Sequence, residues 1–440
     1  MNQMLVGAGK AVIALPATFA PNREGFTRMA DPLHVRVLLI RGDATAALVS
    51  LELTSLMGGN DEIRNRVAAI TGADYVWVTV SHTFSAPHIQ ASQSGGPGGP
   101  GGPGGPGGPG GPGGPGRMPQ MSPEEAAESK AQTEALWAAV VEAASQAADS
   151  LRPAEAYASC GRSTVNTGRD VQTNEGWWLA EGSEAYADHA LPAVFFETAE
   201  GQPLAVLYNF PVQSSVLDHA VMADGGHVVS GDLAGRASAY LEQEYPVALF
   251  LCGAAGDQAP RHKASTNLVD VTGTLRHIER GEAGIEIKNE LGDELGQDVL
   301  SARAGAFRLE ADAKIAAMNR FFSVPAKVMP DRSEVSAKTV ADFQDNGVTQ
   351  SNVEILRIGD LALVGVKPEL SASVGASIRD GSPFPCTMVA TMVNGGAKYM
   401  ADREGFEHIS YAAQNGPFGP GAAELLGEHA LAMLSEIREA

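Results

Sequence analysis

Residues 76–88, "VWVTVSHTFSAPH", join an apolar run to a short polar loop. The run "VWVTV" is rich in β-branched and aromatic residues, and it predicts a strand that is buried on both faces. Ser81 and His82 follow, before the chain breaks at Pro87. Strand ends in α/β sheets converge on a crevice where binding sites are built. A lone histidine is nevertheless more often a hydrogen-bonded core residue, so the pattern leaves both roles of His82 open.

Similar apolar runs and amphipathic stretches recur through the chain and predict the α/β class. Strands are predicted at 35–40, 46–53, 75–80, 204–210, 247–252, 361–366 and 387–393. Helices are predicted at 60–71, 232–244 and 369–379, after the N-cap Ser122, and at the C-terminus. We therefore expect one large layered domain over residues 1–440 with a mixed β-sheet. Residues 261–350 are charged and weakly periodic, and we expect them to cross the surface.

Residues 95–116 contain seven consecutive GGP triplets followed by a glycine. Such a segment has no side chains to bury and cannot join a core. It interrupts the domain shortly after His88. We expect a solvated loop insertion beside the site that His82 lines, dispensable for folding.

The formal net charge of −21 excludes nucleic acid and anionic membranes as expected partners, since both attract positively charged surfaces. No apolar run is long enough to span a membrane, and the first residues do not resemble a signal peptide. Three widely spaced cysteines, Cys160, Cys252 and Cys386, predict buried thiols in a reducing compartment. We expect a cytoplasmic protein that acts on a small molecule; homo-oligomeric assembly is left open.

Three further predicted strand ends carry polar residues that could take part in chemistry. Residues 208–244 follow a strand and contain Gln213, His219 and His227. These histidines and the neighbouring aspartates could form a metal site or an ordinary polar loop. The turn "GAAGD" holds Gly256 and Asp257, and its glycines would let backbone amides approach a ligand.

The last strand ends place Glu369 where a helix begins, and Asn394 and Tyr399 after the following strand. A glutamate at a helix start usually only compensates the helix dipole. The sequence has no HExxH, CxxC, GxSxG or P-loop pattern. Local motifs alone therefore do not define a reaction.

Taken in order, these stretches resemble the catalytic domain of the neutral ceramidases, which are zinc amidases that split the N-acyl bond of sphingoid lipids. The resembling segments are "LVGAGKAVI", "SHTFSAP", "HVVSGDLAGRASAYLEQE", "GAAGDQAP" and "NGGAKYMADREGFEHISYAAQNGPFGP". They span residues 4–430 apart from the GGP insertion and parts of 261–350. The resemblance implies the fold of that domain for this divergent chain.

The resemblance assigns residues one at a time. His82, Glu369 and Tyr399 match zinc ligands of the family, whereas Gln213 stands at the position of a second zinc histidine. Phe84 stands where the family has another histidine, and Ala259 replaces the nucleophilic serine. The implied cofactor is zinc or another divalent metal, for which His219 or His227 could replace the missing ligand.

The leading hypothesis is a metal-dependent hydrolase that cleaves an amide or ester bond with a metal-bound water and is not a true ceramidase. The expected catalytic residues are His82, Asp257, Tyr399 and His88. The expected substrate-binding residues are Gln213, Gly256, Arg169 and Asn394. The alternatives are a lyase or isomerase on the same scaffold, or a binding protein whose site has lost its activity.

Overall fold

The computed structural model describes residues 3–16, 19–56, 58–91, 122–182, 185–310 and 314–439. The GGP insertion lies outside these residues, so its expected behaviour stays a prediction. Within the described residues the chain forms 24 strands and eight α-helices. None of these helices is long and apolar enough to cross a membrane.

The strands are Leu5–Val12 (β1), Phe26–Met29 (β2), His34–Arg41 (β3), Thr45–Leu51 (β4), Tyr75–Val80 (β5), Arg152–Pro153 (β6), Glu155–Arg162 (β7), Asn166–Gly168 (β8), Asp170–Thr173 (β9), Gly176–Leu179 (β10), Ala190–Glu197 (β11), Pro203–Phe210 (β12), His227–Val229 (β13), Ala248–Cys252 (β14), Gln258–Pro260 (β15), Ser265–Val269 (β16), Leu275–Glu279 (β17), Phe307–Arg308 (β18), Ile315–Lys327 (β19), Asp345–Ile358 (β20), Leu361–Val366 (β21), Glu369–Leu370 (β22), Cys386–Ala390 (β23) and Tyr399–Met400 (β24). The helices are Asn60–Thr71 (α1), Pro123–Asp149 (α2), Asp232–Leu241 (α3), Ala283–Ala302 (α4), Ala372–Asp380 (α5), Arg403–Glu407 (α6), Tyr411–Gln414 (α7) and Ala422–Glu439 (α8).

Three mixed sheets carry most of the β-structure. Their strand orders are β5-β4-β3-β1-β6, β14-β12-β11-β7-β18 and β19-β20-β21-β23. Each sheet contains the same unit, in which two antiparallel strands are followed by a helix and then by a strand parallel to the second one. The three units are β3-β4-α1-β5, β11-β12-α3-β14 and β20-β21-α5-β23.

The inner faces of the three sheets pack against one another in a shared apolar core. In β4, for example, Leu48 contributes to this core together with Leu207 of the second sheet and Leu363 of the third. The neighbouring Ala47 and Val49 point to the opposite face, because successive side chains of a strand alternate. On the outer faces, α1 and α2 cover the first sheet, α3 and α4 the second, and α5 and α8 the third. This burial on both faces explains the uninterrupted apolar strands.

The α/β class and the mixed arrangement of strands are confirmed, with the strands divided among several sheets. The prediction that residues 261–350 only cross the surface is wrong. This segment contributes α4, whose Leu291, Leu295 and Val299 are buried against the second sheet, and most of the long β19–β20 pair. Cys252 and Cys386 are buried as expected, whereas Cys160 is exposed.

Helix α2 packs unusually close to β1, and two glycines of that strand make the approach possible. A Cβ atom at Gly7 would lie 2.0 Å from the carbonyl oxygen of Ala147. At Gly9 it would lie 2.1 Å from the carbonyl oxygen of Ala143. Real Cβ contacts are much longer, so any larger residue at either position would push the helix backbone away from the sheet.

We predict that Gly7→Ala lowers the free energy of unfolding by about 2 kcal/mol, because the strand and α2 must separate. Urea denaturation followed by circular dichroism would measure the change. Gly305→Ala is the matched control, because a Cβ atom at Gly305 meets nothing within 4 Å. Equal stability of the two variants would contradict the close packing described here.

Candidate functional site

The repeated unit brings three chain segments to one place beyond the strand ends. The third residue after β4, β12 and β21 is Thr54, Gln213 and Glu369, respectively. His82 is the second residue after β5, where its φ of 58° lies in the left-handed region. This conformation is uncommon for residues other than glycine, and histidine is among those that adopt it more readily.

His82 is held by one hydrogen bond on each ring nitrogen. Its Nδ1 lies 2.7 Å from the carbonyl oxygen of Thr54, and its Nε2 lies 3.0 Å from Oε2 of Glu369. The same Oε2 accepts a 2.7 Å bond from the side-chain amide of Gln213. The Gln213 amide also lies 3.3 Å from the hydroxyl of Tyr399. Four residues that are distant in sequence therefore form one hydrogen-bonded group.

Tyr399 reaches this group because the short strands β22 and β24 pair in parallel. Their register places Glu369 directly opposite Tyr399. Burial and the negative charge of Glu369 raise the pKa of Tyr399, which keeps its hydroxyl protonated at neutral pH. The hydroxyl is therefore available as a hydrogen-bond donor.

Arg169 supplies a buried positive charge beside this group. Its guanidinium donates a 2.6 Å bond to Oε1 of Gln213 and a 2.7 Å bond to the carbonyl oxygen of Gly256. It also lies over the rings of Tyr399 and Tyr411, at 5.1 Å and 5.5 Å from their centroids. Because a guanidinium can only donate, it requires the oxygen of the Gln213 amide to face it. The NH₂ group of Gln213 must then face Glu369.

The hydrogen bonds of His82 determine its protonation state. Nδ1 faces a carbonyl oxygen and must donate, and Nε2 faces the carboxylate of Glu369. Burial alone lowers the pKa of His82, but the charge and hydrogen bond of Glu369, together with the hydrogen bond to Thr54, outweigh burial and raise it. For Glu369, burial alone raises the pKa, but the charge and hydrogen bond of His82, together with Arg169 and Tyr399, outweigh burial and lower it. The two side chains therefore form an imidazolium–carboxylate pair.

A pocket of about 950 Å³ opens onto this group. Arg169, Gln213, Tyr399 and Tyr411 are among its lining residues, as is Ala259. His82 and Glu369 are not part of the lining, so Gln213 and Tyr399 stand between the ion pair and the pocket. A pocket of this size accommodates a small or medium organic molecule.

The other residues expected to be catalytic or to bind substrate have different surroundings. Gly256 lies beside the group, and a Cβ atom there would meet the carbonyl oxygen of Glu369 at 2.6 Å, so only glycine fits. Asp257 faces a separate small cavity and accepts the backbone N–H of Ala372, at the first turn of α5. Asn394 is bonded to the backbone of Val78 and is not among the residues that line the pocket.

The other three histidines that were expected at the site, His88, His219 and His227, do not join His82 and Glu369. His219 and His227 line the pocket, yet no group of three His, Cys, Asp or Glu side chains with metal-binding geometry occurs in the described ranges. The side chain of His219 is 83% exposed, and Nδ1 of His227 is bonded to the carbonyl oxygen of Ala220. His88 also lines the pocket, where Glu24 holds its Nδ1 at 2.7 Å.

Two members of the site were missed by the sequence analysis. Thr54 acts through its carbonyl oxygen, so its side chain gives no signal in the sequence. Tyr411 contacts Tyr399 edge-on, with ring centroids 5.5 Å apart, and packs under Arg169. It lies in the segment "HISYAAQNGPFGP" that carries the family resemblance, so its aromatic character could have marked it.

The donor atoms of this group do not fit a zinc ion. Zinc favours imidazole, thiolate and carboxylate ligands. At the position of the missing histidine, Gln213 directs its NH₂ hydrogens toward Glu369 and Tyr399, while Arg169 holds its oxygen. His82 and Arg169 already place two positive charges beside the carboxylate, and a further cation there would be repelled. No step of the proposed chemistry below uses a metal.

We predict that the wild-type chain, incubated with excess zinc and dialysed, retains well below one zinc ion per chain, and that Gln213→His raises this content. The substitution replaces an amide donor with an imidazole, a preferred zinc ligand. Elemental analysis would measure the metal. Gln350→His, at an exposed position, is the matched control. Stoichiometric zinc in the wild-type chain would contradict the assignment.

Asp257 gives the site region a distinct pH dependence of stability. Burial and the nearby Asp402 raise the pKa of Asp257 from 3.8 to about 7. The folded chain therefore binds this proton more tightly than the unfolded chain, and the free energy of unfolding contributed by Asp257 falls as the pH rises between these values. Asparagine retains the oxygen that accepts the N–H of Ala372 but does not ionise.

We predict that Asp257→Asn gains stability relative to wild type, by about 2 kcal/mol, as the pH is raised from about 5 to about 8. Denaturation curves of both proteins at each pH would show the gain. Asp61→Asn, whose side chain is 87% exposed, should show none. A wild-type-minus-variant difference that stays constant with pH would refute the raised pKa.

The structure closely matches solved ceramidase structures. A structure described as a ceramidase complexed with C2 superposes with a TM-score of 0.70 at 16% identity, covering 100% of this chain and 76% of the other. A neutral ceramidase from Pseudomonas aeruginosa gives a TM-score of 0.69 at 15% identity, with 100% and 75% covered. No protein-family model and no curated protein sequence matches the chain. The chain therefore has the fold of the neutral ceramidases, a hydrolase scaffold, at a sequence distance that shows the fold alone.

Proposed function

We propose that this protein hydrolyses an amide or ester bond in a small or medium polar substrate that enters the 950 Å³ pocket. The observation that carries the proposal is the convergence of His82, Glu369, Tyr399 and Arg169 beneath that pocket. An ion pair, a protonated phenol and a buried guanidinium at one point are groups that acyl transfer can use. The hydrolase scaffold supports the same reaction class.

Tyr399 and Arg169 are suited to stabilise the oxygen of a carbonyl under attack. Both line the pocket, and the Nε–H of Arg169 is buried without a hydrogen-bond partner among the described residues. Donors that are fixed in advance stabilise a developing oxyanion more than they stabilise the neutral carbonyl. In this proposal they form the oxyanion site.

Water is the attacking group in the proposed reaction, because Ala259 has no nucleophilic atom. This step requires the side chain of Gln213 to turn away from Glu369 when substrate binds, because Gln213 and Tyr399 separate the ion pair from the pocket. As the water oxygen bonds to the carbonyl carbon, its proton then passes to the carboxylate of Glu369. When the C–N or C–O bond breaks, Nε2 of His82 gives its proton to the leaving group. The protonated Glu369 then returns a proton to His82 across their 3.0 Å contact, and the pair is restored.

A test of this proposal compares short N-acyl amides and esters with a ceramide as substrates. We predict turnover of the short polar substrates and little or none of the ceramide. Tyr399→Phe should lower kcat/KM by about 100-fold, because one oxyanion donor is lost. His82→Gln should abolish turnover, because the proton relay is broken. Chromatographic detection of the released acid would measure each rate.

Tyr186→Phe is the matched control, since Tyr186 is exposed and lies outside the pocket. Undiminished activity in Tyr399→Phe, with the control also unchanged, would remove the phenol from the mechanism. Robust ceramide hydrolysis would show that the substrate class is wrong. Circular dichroism of each variant would establish that it is folded.

A second candidate function is binding without turnover. One observation favours it: Gln213 bonds to Glu369, Tyr399 and Arg169 at once, and together with Tyr399 it stands between the ion pair and the pocket. A protein of this kind would bind the same amides with measurable affinity and release no acid. Calorimetric binding combined with the product assay separates the two functions.

A further inference from the structure

The charge of the pocket is opposite to that of the chain as a whole. The formal net charge of the protein is −21. Four permanently charged cations line the pocket, Arg23, Arg169, Lys263 and Arg332, against two carboxylates, Glu24 and Asp218. The pocket wall therefore carries a net charge of +2, that is, four cations minus two anions, with histidines counted as neutral.

The two carboxylates of the wall are already engaged. Asp218 pairs with Lys263 at 3.2 Å, and Glu24 holds Nδ1 of His88 at 2.7 Å. Two further cations, Arg23 and Arg332, are exposed and form no ion pair within the described residues. Arg23, which lies near Glu125 without pairing with it, and Arg332 are therefore available to a molecule that enters the pocket.

The wall has further groups that favour a negative charge. The hydrogen bond from His88 to Glu24 raises the pKa of His88, which increases its positive charge near neutrality. His219, His227 and His277 also line the pocket and add N–H donors. Elsewhere the excess of acidic residues repels anions, so this local reversal of sign concentrates them at one site.

We propose that the substrate carries an anionic group, a carboxylate or a phosphate, which an arginine of the pocket wall, Arg23 or Arg332, binds while the scissile bond faces Tyr399. The inference deepens the proposed function and rests on it for the position of the scissile bond. The planar guanidinium matches both kinds of oxyanion through paired hydrogen bonds. A neutral lipid amide would leave these charges unused.

Matched ligands test the proposal. N-hexanoylglycine is compared with N-hexanoylglycinamide, and N-hexanoyl-O-phosphoethanolamine with N-hexanoylethanolamine. Isothermal titration calorimetry at low ionic strength should give at least one anionic ligand an affinity about tenfold above that of its neutral partner. Added salt should reduce this advantage, because exposed charges are screened. The ligand pair with the larger advantage identifies the preferred anion.

The double variant Arg23→Gln and Arg332→Gln should lose most of the advantage, whereas Arg66→Gln, at an exposed site outside the pocket, should retain it. Equal affinities for charged and neutral ligands in the wild type would overturn the proposal, as would an advantage that survives in the double variant. Acid release is assayed separately. Anion-selective binding without turnover would refute the proposed hydrolase activity and support the anion site. Turnover of the neutral ligands alone would refute the anion site and support the hydrolase activity.

Discussion

The shared core between the three sheets is the constraint on which the rest of the structure depends. Because the inner faces of all three sheets pack together, the second strand of each unit ends near the same point. The residues that follow those strands are thereby brought together without any local sequence motif: Gln213 bonds to Glu369, and Thr54 is linked to Glu369 through His82. Helices on the outer faces hold each sheet in place. The site is thus a product of the core packing, and its precision follows from the close packing of buried strands.

The charges inside this site balance one another. The carboxylate of Glu369 is neutralised by two fixed cations, His82 and Arg169, and the amide of Gln213 links it to the guanidinium. The presence of glutamine at position 213 is therefore coupled to the orientation of Arg169. The resemblance places a zinc ligand at position 213, but the side-chain N–H of Gln213 faces the carboxylate of Glu369 there. The same buried guanidinium lines the pocket, so it connects the interior network to whatever binds there.

The strands and several helices could be predicted because their residues are buried in regular patterns. Residues 75–80 and 361–366 are strands with the predicted bounds, and the helix cap at Ser122 is present as a full capping box. The order of motifs indicated the fold that the superposition shows. Helix α4 was not predicted, because Gly292 and Gly296 interrupt its row of apolar residues. These glycines pack against Arg236 and Tyr240, where a larger side chain would not fit. The pairing of Arg169 with Gln213 could not be predicted either, because 44 positions separate the two residues and no local pattern links them.

The three units differ mainly in the residue that lies three positions after their second strand, here called the tip residue. Each unit presents one residue at the same distance beyond its second strand, and these residues are a threonine, a glutamine and a glutamate. His82 and Met392, each two residues after a parallel strand, even share the left-handed backbone conformation, with φ values of 58° and 55°. Backbone geometry and side-chain chemistry are therefore separable in this architecture. A designer could exchange the tip residues as a set and so install new chemistry on an unaltered frame, in the way that antibody loops are varied on a constant sandwich.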